Sequence, residues 1–370
     1  MQAHGTTGDY RPRLIFWELT TGCNLRCIHC RASATELMSP SDLSYPECCR
    51  VIDEIAEYAP FILVLSGGEP LWRRDVFDIA RRARQRRLRV ALATNGTLVD
   101  EAMAQRIAEA GIERVSISLD GADRATHDTF RGHPGAFEAA VRGVKCLQEL
   151  GVSTQINTTV SRHNAHQLPE ILKLAEQLGV DAFHMFLLVP VGCGLTIQDE
   201  QAIQGEEAEQ ILRWFYDRSL ETRLELKATC APHYYRILRQ RRAEARRAGQ
   251  AVPELPSTGM HAVTKGCLAG SAVCFISHQG EVYPCGYLPV SAGSLRRERF
   301  RDIWENAPIF RELRDPANLE GKCRICEFRN VCMGCRARAY GMTGDYLAEE
   351  PFCIYQPKQA HVDDNRNPVS

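Results

Sequence analysis

The sequence predicts an α/β protein in which six strand–helix repeats precede a cysteine-rich C-terminal domain. β-rich runs alternate with amphipathic stretches from Leu14 to about Val189, and eight of the sixteen cysteines lie between Gly259 and Pro357. Such repeats imply parallel strands with right-handed crossovers. The fold is therefore either a partial (β/α)6 TIM-like barrel or an open doubly wound sheet. In both, ligands bind at the C-terminal ends of the strands.

The individual elements follow from this alternation of β-rich and amphipathic stretches. Strands are predicted at Leu14–Leu19, Phe61–Ser66, Arg89–Thr94, Arg114–Leu119, Ser153–Val160 and Ala182–Val189. Helices are predicted near Pro46–Tyr58, Asp75–Arg86, Asp100–Ala110, Gly135–Leu150 and Leu168–Leu178.

Five segments follow from the same pattern. A glycine-rich turn at Val191–Gly194 ends the repeats, and Pro253 and Pro256 mark a linker before the cysteine-rich part. That part has few long periodic runs, so we expect metal rather than a large apolar core to hold it together. The predicted segments are an N-terminal tail (1–12), a strand–helix core (13–190), a bridging region (191–257), a cluster-bearing domain (258–357) and a C-terminal tail (358–370).

Composition narrows the class of protein. The 370 residues are 44% hydrophobic and 25% charged with a net charge of −1, so we expect neither nucleic acid nor an anionic membrane as partner. No apolar stretch approaches the roughly 20 residues that span a bilayer, and the first residues do not show the charged and apolar regions expected of a signal peptide. Closely spaced cysteines then favour thiolate ligands in a reducing cytoplasm. The arginine-rich run at Arg81–Arg89 is interpreted as a solvated helix face, with docking of an acidic partner as the alternative.

Three cysteines directly after the first strand carry the most chemical information. Their spacing, Cys23-x3-Cys27-x2-Cys30, can ligate three irons of a cubane cluster and leave the fourth iron open for a ligand. A zinc knuckle or three reduced structural cysteines are the alternatives. The second strand then ends in Ser66-Gly67-Gly68-Glu69-Pro70, where the glycines allow close approach of the backbone to a ligand.

Together these strings resemble the signatures of the radical S-adenosylmethionine (SAM) enzymes. The resemblance implies that Cys23, Cys27 and Cys30 hold the 4Fe–4S cluster that cleaves SAM, and that the Gly-Gly-Glu-Pro motif contacts the SAM ammonium group. It also implies that polar residues at strand ends reach SAM, although helix capping is the alternative for each. The expected SAM-binding residues are His29 (by stacking, not acid–base chemistry), Gly67, Gly68, Glu69, Pro70, Asn95, Ser118, Asp120 and Asn157.

The C-terminal cysteines resemble the SPASM/twitch domain of the same enzymes, which carries one or two auxiliary 4Fe–4S clusters. The resemblance implies an outer cluster on Cys323, Cys326, Cys332 and Cys353, and an inner one on Cys267, Cys274, Cys285 and Cys335. Two residues separate Cys332 from Cys335, where the usual pattern has three. Two zinc ribbons are the competing metal hypothesis. Cys48, Cys49, Cys146 and Cys193 lack such context and are expected to be buried thiols.

Three further strings narrow the family. Phe186–Gly194, Ala228–Arg236 and Cys335–Cys353 resemble the tetrapyrrole-modifying branch, above all its heme b synthases, and the resemblance covers about Pro12 to Pro357. It implies oxidative decarboxylation of two propionates of Fe-coproporphyrin III to vinyl groups, with a low-potential electron donor such as flavodoxin or ferredoxin. The alternatives are a deacetylase of 12,18-didecarboxysiroheme, a peptide-modifying SPASM enzyme and a non-enzymatic iron–sulfur electron carrier.

A site for an iron tetrapyrrole with four propionates needs cationic side chains to bind the carboxylates and a side chain that can bind the iron. Guanidinium groups grip carboxylates with two hydrogen bonds, and imidazole and thiolate are the usual axial ligands of heme iron. Each candidate has a structural alternative, such as a surface arginine or a packed histidine. The expected substrate residues are Arg131, Arg236, Arg336 and Arg338 for carboxylates, His233 or Cys230 for iron, and Tyr235 for packing against the ring.

Overall fold

The computed structural model describes residues 10–252 and 265–358, which form one extended sheet with helices. The strands are β1 (Leu14–Glu18), β2 (Ile62–Ser66), β3 (Arg89–Thr94), β4 (Arg114–Ser118), β5 (Ser153–Val160), β6 (Ala182–Leu187), β7 (Glu225–Thr229), β8 (Val273–Ile276), β9 (Glu281–Tyr283) and β10 (Gly293–Ser294). Their order in the sheet is β10-β9-β8-β1-β2-β3-β4-β5-β6-β7.

The helices mostly follow the strands along the chain. They are α1 (Tyr45–Ile55), α2 (Val76–Gln85), α3 (Glu101–Glu109), α4 (Arg124–Arg131), α5 (Ala136–Glu149), α6 (Leu168–Gln177), α7 (Gly194–Gln201), α8 (Gly205–Ser219), α9 (His233–Arg247), α10 (Phe300–Asn306), α11 (Pro308–Arg314), α12 (Gly321–Ile325), α13 (Arg329–Cys332) and α14 (Arg336–Thr343).

The strand order decides between the two predicted architectures. β1 to β7 are parallel and neighbours in sequence are neighbours in space. Because right-handed crossovers between successive strands always return on the same side, the helices cover one face and the sheet curls. A doubly wound sheet would instead reverse its order at a switch point. The fold is therefore a partial barrel.

Local sequence explains how several helices begin. At α1, the backbone N–H of Ser44 donates to Glu47 at 2.8 Å, half of a capping box. Asp100 accepts from the Met103 N–H and so caps α3, and Asp123 accepts from Thr126 and so caps α4. These caps fix the helix starts just beyond the strand ends that form the site.

The six predicted strands and five predicted helices are present, with ends shifted by a few residues. The sequence analysis missed α4 and the seventh parallel strand, β7, which pairs with β6. β7 lies in the predicted bridging region, so part of that region extends the barrel sheet. The linker at Pro253 and Pro256, and most of both predicted tails, lie outside the described residues.

The C-terminal part joins the barrel through the sheet. β8 pairs in parallel with β1, and β9 and β10 continue antiparallel. Contrary to expectation, the C-terminal part does have an apolar core, formed around α10 and α11. Its fully buried aromatic residues are Phe300, Trp304 and Phe310. Metal is thus expected to organise mainly the cysteine-bearing segments, not the whole region.

The arginine-rich run on and after α2 lies at the surface among acidic partners. Arg82 and Arg86 both pair with Asp53, and Arg84 and Arg89 both pair with Glu113. These pairs favour the solvated-face interpretation over a docking site. Among the described residues, no helix is long and apolar enough to cross a membrane.

Trp304 provides a test of how firmly the C-terminal core is packed. Its side chain is fully buried, its indole N–H donates to the Tyr10 carbonyl at 2.7 Å, and the Arg314 guanidinium lies 4.8 Å from its ring centroid. Trp304→Ala should lower the free energy of unfolding by about 3–5 kcal/mol, because the cavity adds to the lost burial. Unfolding in urea, followed by circular dichroism, measures this. Trp72→Ala, at a half-exposed side chain, is the matched control and should cost less than about 1 kcal/mol; equal losses would contradict the packing argument.

Candidate active site

A pocket opens at the carboxyl ends of the strands, where the sequence analysis expected the ligand. The loop after β1 contributes all three cysteines of the N-terminal triad, and the ends of β2 to β5 contribute polar and glycine residues. Parallel strands end at one edge, so residues far apart in sequence converge there. The predicted residues that line this pocket are Cys23, Cys27, His29, Cys30, Gly67, Gly68, Asn95, Ser118, Arg131 and Asn157.

The three thiols of the triad are held by hydrogen bonds to sulfur. The Leu25 N–H donates to Cys23 Sγ and the Ala34 N–H to Cys30 Sγ, each at 3.4 Å. The Arg131 guanidinium lies 3.8 Å from Cys27 Sγ. Burial raises the pKa of Cys23 to about 12 and also raises that of Cys27. Metal coordination requires the thiolate form, and nearby donors and Arg131 favour that form.

The glycines of the Gly-Gly-Glu-Pro segment lie against the triad loop. The Gly68 N–H donates to the Thr20 carbonyl at 2.8 Å. A Cβ at Gly67 would lie 2.7 Å from the Thr20 carbonyl oxygen, and one at Gly68 would lie 2.5 Å from that of Gly22. Only glycine permits this approach, so the two loops form one wall of the pocket.

Glu69 is placed differently from expectation. It is fully buried and does not line the pocket. Its carboxylate accepts hydrogen bonds from the Leu71 N–H, the Thr94 hydroxyl and the Asn95 N–H at 2.8–3.0 Å. Burial raises its pKa to about 7, and the three donors oppose that rise. Glu69 therefore ties the second strand end to the third, while backbone of the motif faces the pocket; Pro70 is buried beside it.

His29 lines the pocket, and the buried Asp120 lies behind it, 3.7 Å from His29 Nε2. The His29 ring stacks on Phe130 at 3.9 Å between centroids, and its Nδ1 is buried without a hydrogen-bond partner among the described residues. Burial and the nearby Arg131 charge lower its pKa well below the usual value, so the ring stays neutral. Asp120, also outside the pocket lining, pairs with Arg131 at 2.5 Å. His29 thus offers a flat, neutral face with a free ring nitrogen.

The C-terminal cysteines gather in two groups. Cys323, Cys326, Cys332 and Cys353 line one small cavity, as the sequence analysis grouped them. Backbone N–H groups of Phe328 and Glu350 lie 3.4 Å from Cys326 Sγ and Cys323 Sγ.

The second group differs from the predicted one. Cys267, Cys285 and Cys335 interact electrostatically with one another. Cys274 does not join them: it is fully buried in the middle of β8, and Arg314 is its charged neighbour. Its assignment to the inner cluster is therefore not supported by the structure.

No three cysteine, histidine or acidic side chains within residues 10–252 and 265–358 converge closely enough to bind a single metal ion. A zinc site needs four ligands about 2.0–2.3 Å from one ion. A cubane cluster spreads its ligands over four irons. Four thiols line the outer cavity, a number that either kind of site can use.

Comparison with known protein families agrees with this geometry. Residues 17–175 match the Radical SAM superfamily, and residues 267–327 match SPASM, an iron–sulfur cluster-binding domain. The chain belongs to the radical SAM enzymes. Such enzymes use SAM and a 4Fe–4S cluster, and the pocket residues fit both: three converging thiols, a glycine wall and a neutral stacking ring. The SPASM match indicates auxiliary iron–sulfur clusters.

Relatives extend over nearly the whole chain. An "AdoMet-dependent heme synthase" from Methanosarcina barkeri is 51% identical over 94% of this chain and 97% of its own. A "Fe-coproporphyrin III synthase" from the same organism is 31% identical over 93% of this chain and 88% of its own. The crystal structure of Streptococcus suis SuiB bound to S-adenosylmethionine has a TM-score of 0.70 at 16% identity, covering 94% of this chain and 78% of that one; it shows the fold alone.

The arginines expected to bind substrate carboxylates form ion pairs and hydrogen bonds with other residues of this chain. Arg131 pairs with Asp120 and Cys27, and Arg236 with Glu209. Arg336 and Arg338 are fully buried in the SPASM part.

The two SPASM arginines have protein partners for their charges. Arg336 donates to the Tyr346 and Ala348 carbonyls, and Arg338 pairs with Glu350 at 3.2 Å. A buried guanidinium needs such partners, so the structure argues against these four arginines as free carboxylate-binding groups.

The candidate iron ligands and the tyrosine also lie away from the SAM pocket. His233 is 2% exposed, with its Nε2 3.8 Å from Glu350, and burial lowers its pKa to about 4. Tyr235 is half-buried and outside the pocket lining. Cys230 interacts with Cys335 instead of facing the pocket. An axial role for His233 or Cys230 is thus not supported by their positions.

Sequence reasoning missed several residues that line the pocket, among them Arg31 and Tyr287. Arg31 lines the pocket, pairs with Glu18 at 2.7 Å and lies over the Phe275 ring at 4.6 Å. Tyr287 also lines the pocket, and its hydroxyl interacts electrostatically with inner-group cysteines. Their proximity in sequence to Cys30 and Cys285 is the signal that could have found them.

Of the four cysteines not assigned to a cluster, only two are buried as expected. Cys48 and Cys146 are buried, whereas Cys49 and Cys193 are partly exposed. The Cys193 backbone N–H donates to the Cys30 carbonyl at 2.9 Å. Cys193 therefore supports the triad loop through its backbone.

Gly68→Ala tests the glycine wall of the SAM pocket. The added methyl would collide with the Gly22 carbonyl and push the triad loop outward, so SAM should bind at least about ten-fold more weakly. Equilibrium dialysis of the cluster-reconstituted protein with SAM measures this. Gly151→Ala is the control: its Cβ meets nothing within 4 Å, although its φ of +71° is strained. Normal SAM binding by Gly68→Ala would refute the close-approach argument.

Proposed function

We propose that this enzyme oxidatively decarboxylates two propionate side chains of Fe-coproporphyrin III to vinyl groups, giving heme b. The observation that carries the proposal is the 51% identity to the Methanosarcina barkeri AdoMet-dependent heme synthase over nearly the full length of both chains. The Fe-coproporphyrin III synthase of the same organism is 31% identical. Both relatives come from one organism. The higher identity to its heme synthase therefore favours heme synthesis over the synthesis of Fe-coproporphyrin III.

The pocket has a wall that suits a macrocycle. The residues that form it are Phe186, Leu187, Leu188, Val189 and Val191. These residues belong to the end of β6 and the following turn, one of the strings that resembled tetrapyrrole enzymes. A flat porphyrin edge would gain from contact with such an apolar surface.

The polar side of the pocket suits SAM. Ser118 and Asn157 face each other across the paired ends of β4 and β5, and both line the pocket. Asn95 Nδ2 donates to Asn24 Oδ1 at 2.9 Å and lies 3.9 Å from Cys23 Sγ. We assign these residues to the carboxylate and ribose of SAM, and His29 to its adenine. The hydrogen bond to Asn24 preorganises Asn95 for that role.

Cys23, Cys27 and Cys30 would hold the N-terminal cluster, at which SAM would supply the 5′-deoxyadenosyl radical that takes one hydrogen atom from the β-carbon of a propionate. Breaking the bond to the carboxylate then releases CO2 and leaves the vinyl group plus one electron. An oxidised iron–sulfur cluster of the SPASM part is the class of acceptor that can take this electron. A low-potential donor such as flavodoxin or ferredoxin reduces the N-terminal cluster in the cytoplasm.

The chain's own residues must keep the radical from side reactions. The aromatic stack of His29 on Phe130 and of Phe130 on His163, with centroids 3.9 and 5.1 Å apart, closes one side of the pocket. Arg31 is held by Glu18 and the Gly286 carbonyl. This packing fixes the pocket walls and limits access of water.

Tyr287 connects the pocket to the inner cysteines. It lines the pocket, and burial together with nearby thiols raises its pKa. Its hydroxyl is therefore neutral, and the thiols of Cys230, Cys285 and Cys335 are among its neighbours. We assign it as a positioning residue that orients the substrate toward the electron acceptor.

An anaerobic assay tests the function directly. The reconstituted enzyme with SAM, a low-potential reductant and Fe-coproporphyrin III should give 5′-deoxyadenosine and porphyrins that have lost one, then two, units of CO2 plus two hydrogens. Mass spectrometry identifies these products. If 5′-deoxyadenosine forms while the porphyrin is unchanged, the substrate assignment is wrong. Acetate loss from 12,18-didecarboxysiroheme would then establish the deacetylase.

Tyr287→Phe tests the coupling between pocket and acceptor. Loss of the hydroxyl should lower the yield of decarboxylated porphyrin per 5′-deoxyadenosine by roughly ten-fold, because a misplaced substrate leaves the radical to be quenched. Both products are quantified in one chromatographic run. Tyr283→Phe, a β9 tyrosine outside the pocket lining, should leave the ratio unchanged. An unchanged ratio in Tyr287→Phe would remove the positioning role.

A further inference from the structure

The second group of C-terminal cysteines, here called the inner group, includes a thiol from outside the SPASM segment. Cys267, Cys285 and Cys335 come from the SPASM segment, but the fourth predicted member, Cys274, is missing from the group. Cys230, which follows β7 and lies 37 positions before Cys267 in the printed sequence, is present in its place. Its carbonyl accepts a 2.7 Å hydrogen bond from Arg338, and its thiol lies near those of Cys335 and Cys285.

Strand geometry excludes Cys274 from this group. Successive side chains of a strand point to opposite faces. Phe275 faces the pocket side, because the Arg31 guanidinium that lines the pocket lies over its ring. Cys274 must therefore point to the other face, where it packs in the apolar core beside Arg314. Rotating its thiol into the group would require a register shift of β8 against β1.

The backbone around Cys230 is built to present its side chain. Cys230 has a φ of +55°, a left-handed conformation that costs energy for a residue other than glycine, aspartate or asparagine. The strain is offset by a 2.7 Å hydrogen bond from Arg338 Nη2 to the Cys230 carbonyl. Arg338 is itself fixed by Glu350, whose carboxylate also accepts from the Cys335 N–H at 2.5 Å. One buried ion pair thus positions both Cys230 and Cys335.

We infer that Cys230, not Cys274, is the fourth thiolate of an inner 4Fe–4S cluster with Cys267, Cys285 and Cys335. Each thiol would lose its proton on binding iron. A fully cysteine-ligated cluster has no open iron, so it serves to store or pass an electron rather than to bind substrate. Cys230 would also tie the end of the barrel strand β7 to the SPASM part. The inference concerns the metal site and does not depend on which tetrapyrrole is the substrate.

Iron counting on single variants tests the assignment. Wild-type, Cys230→Ala and Cys274→Ala proteins are reconstituted side by side under anaerobic conditions, and iron, sulfide and Mössbauer spectra are measured. We expect Cys274→Ala to match wild type. Cys230→Ala should lose the four irons of one cluster, or show the electron paramagnetic resonance signal of an oxidised three-iron cluster. Retention of all iron by Cys230→Ala, or its loss from Cys274→Ala, would overturn the inference.

Two further measurements keep the test decisive if Cys230→Ala folds poorly. Cys230→Asp, whose carboxylate can bind iron and tolerates a positive φ, should regain the iron with an altered cluster spectrum. In the loaded wild-type protein, Cys230 should resist alkylation by iodoacetamide, whereas the partly exposed Cys193 reacts. After iron chelation Cys230 should react as well. Alkylation of Cys230 in the loaded protein would show that it is not a ligand.

Discussion

The alignment of parallel strand ends is the constraint on which the rest of this structure depends. Because β1 to β7 run in one direction and in sequence order, each strand delivers its following loop to the same rim. The triad loop, the two glycines and the polar ends of the next strands meet there without any long connection. The helices cover the outer face, so the inner face and its rim are left for ligands. This geometry explains why residues from Cys23 to Tyr287 line one pocket.

The second organising interaction is a buried charge network in the C-terminal part. Glu350 is 1% exposed and pairs with Arg338, which is fully buried. The positive neighbours keep the pKa of Glu350 below its usual value although burial opposes this. Through its bond to the Cys335 N–H, Glu350 also lies next to the inner thiols. A buried pair of this kind is costly to break, so it holds the loops that carry cysteines in fixed relative positions.

The arginines illustrate how tertiary structure changes the meaning of a residue. In the sequence, Arg131, Arg236, Arg336 and Arg338 are equivalent candidates for binding propionates. In the structure each is buried and has an acidic, carbonyl or sulfur partner from the protein. Arg31 was not among these candidates, yet it lines the pocket. Sequence spacing does not reveal which guanidinium is already neutralised, since the partners lie up to 108 positions away.

The sequence by itself determined the family, the strand–helix repeat, the N-terminal cysteine triad and the outer cysteine group, because each depends on short spacings along the chain. Alternating strands and helices also predicted the edge at which the pocket forms. Tertiary structure decided the partial barrel over the doubly wound sheet, since strand order is a property of the sheet. It also decided the inward orientation of Glu69, the outward face of Cys274 and the approach of Cys230 to Cys335. These depend on register, side-chain direction and contacts between distant segments, which no local spacing records.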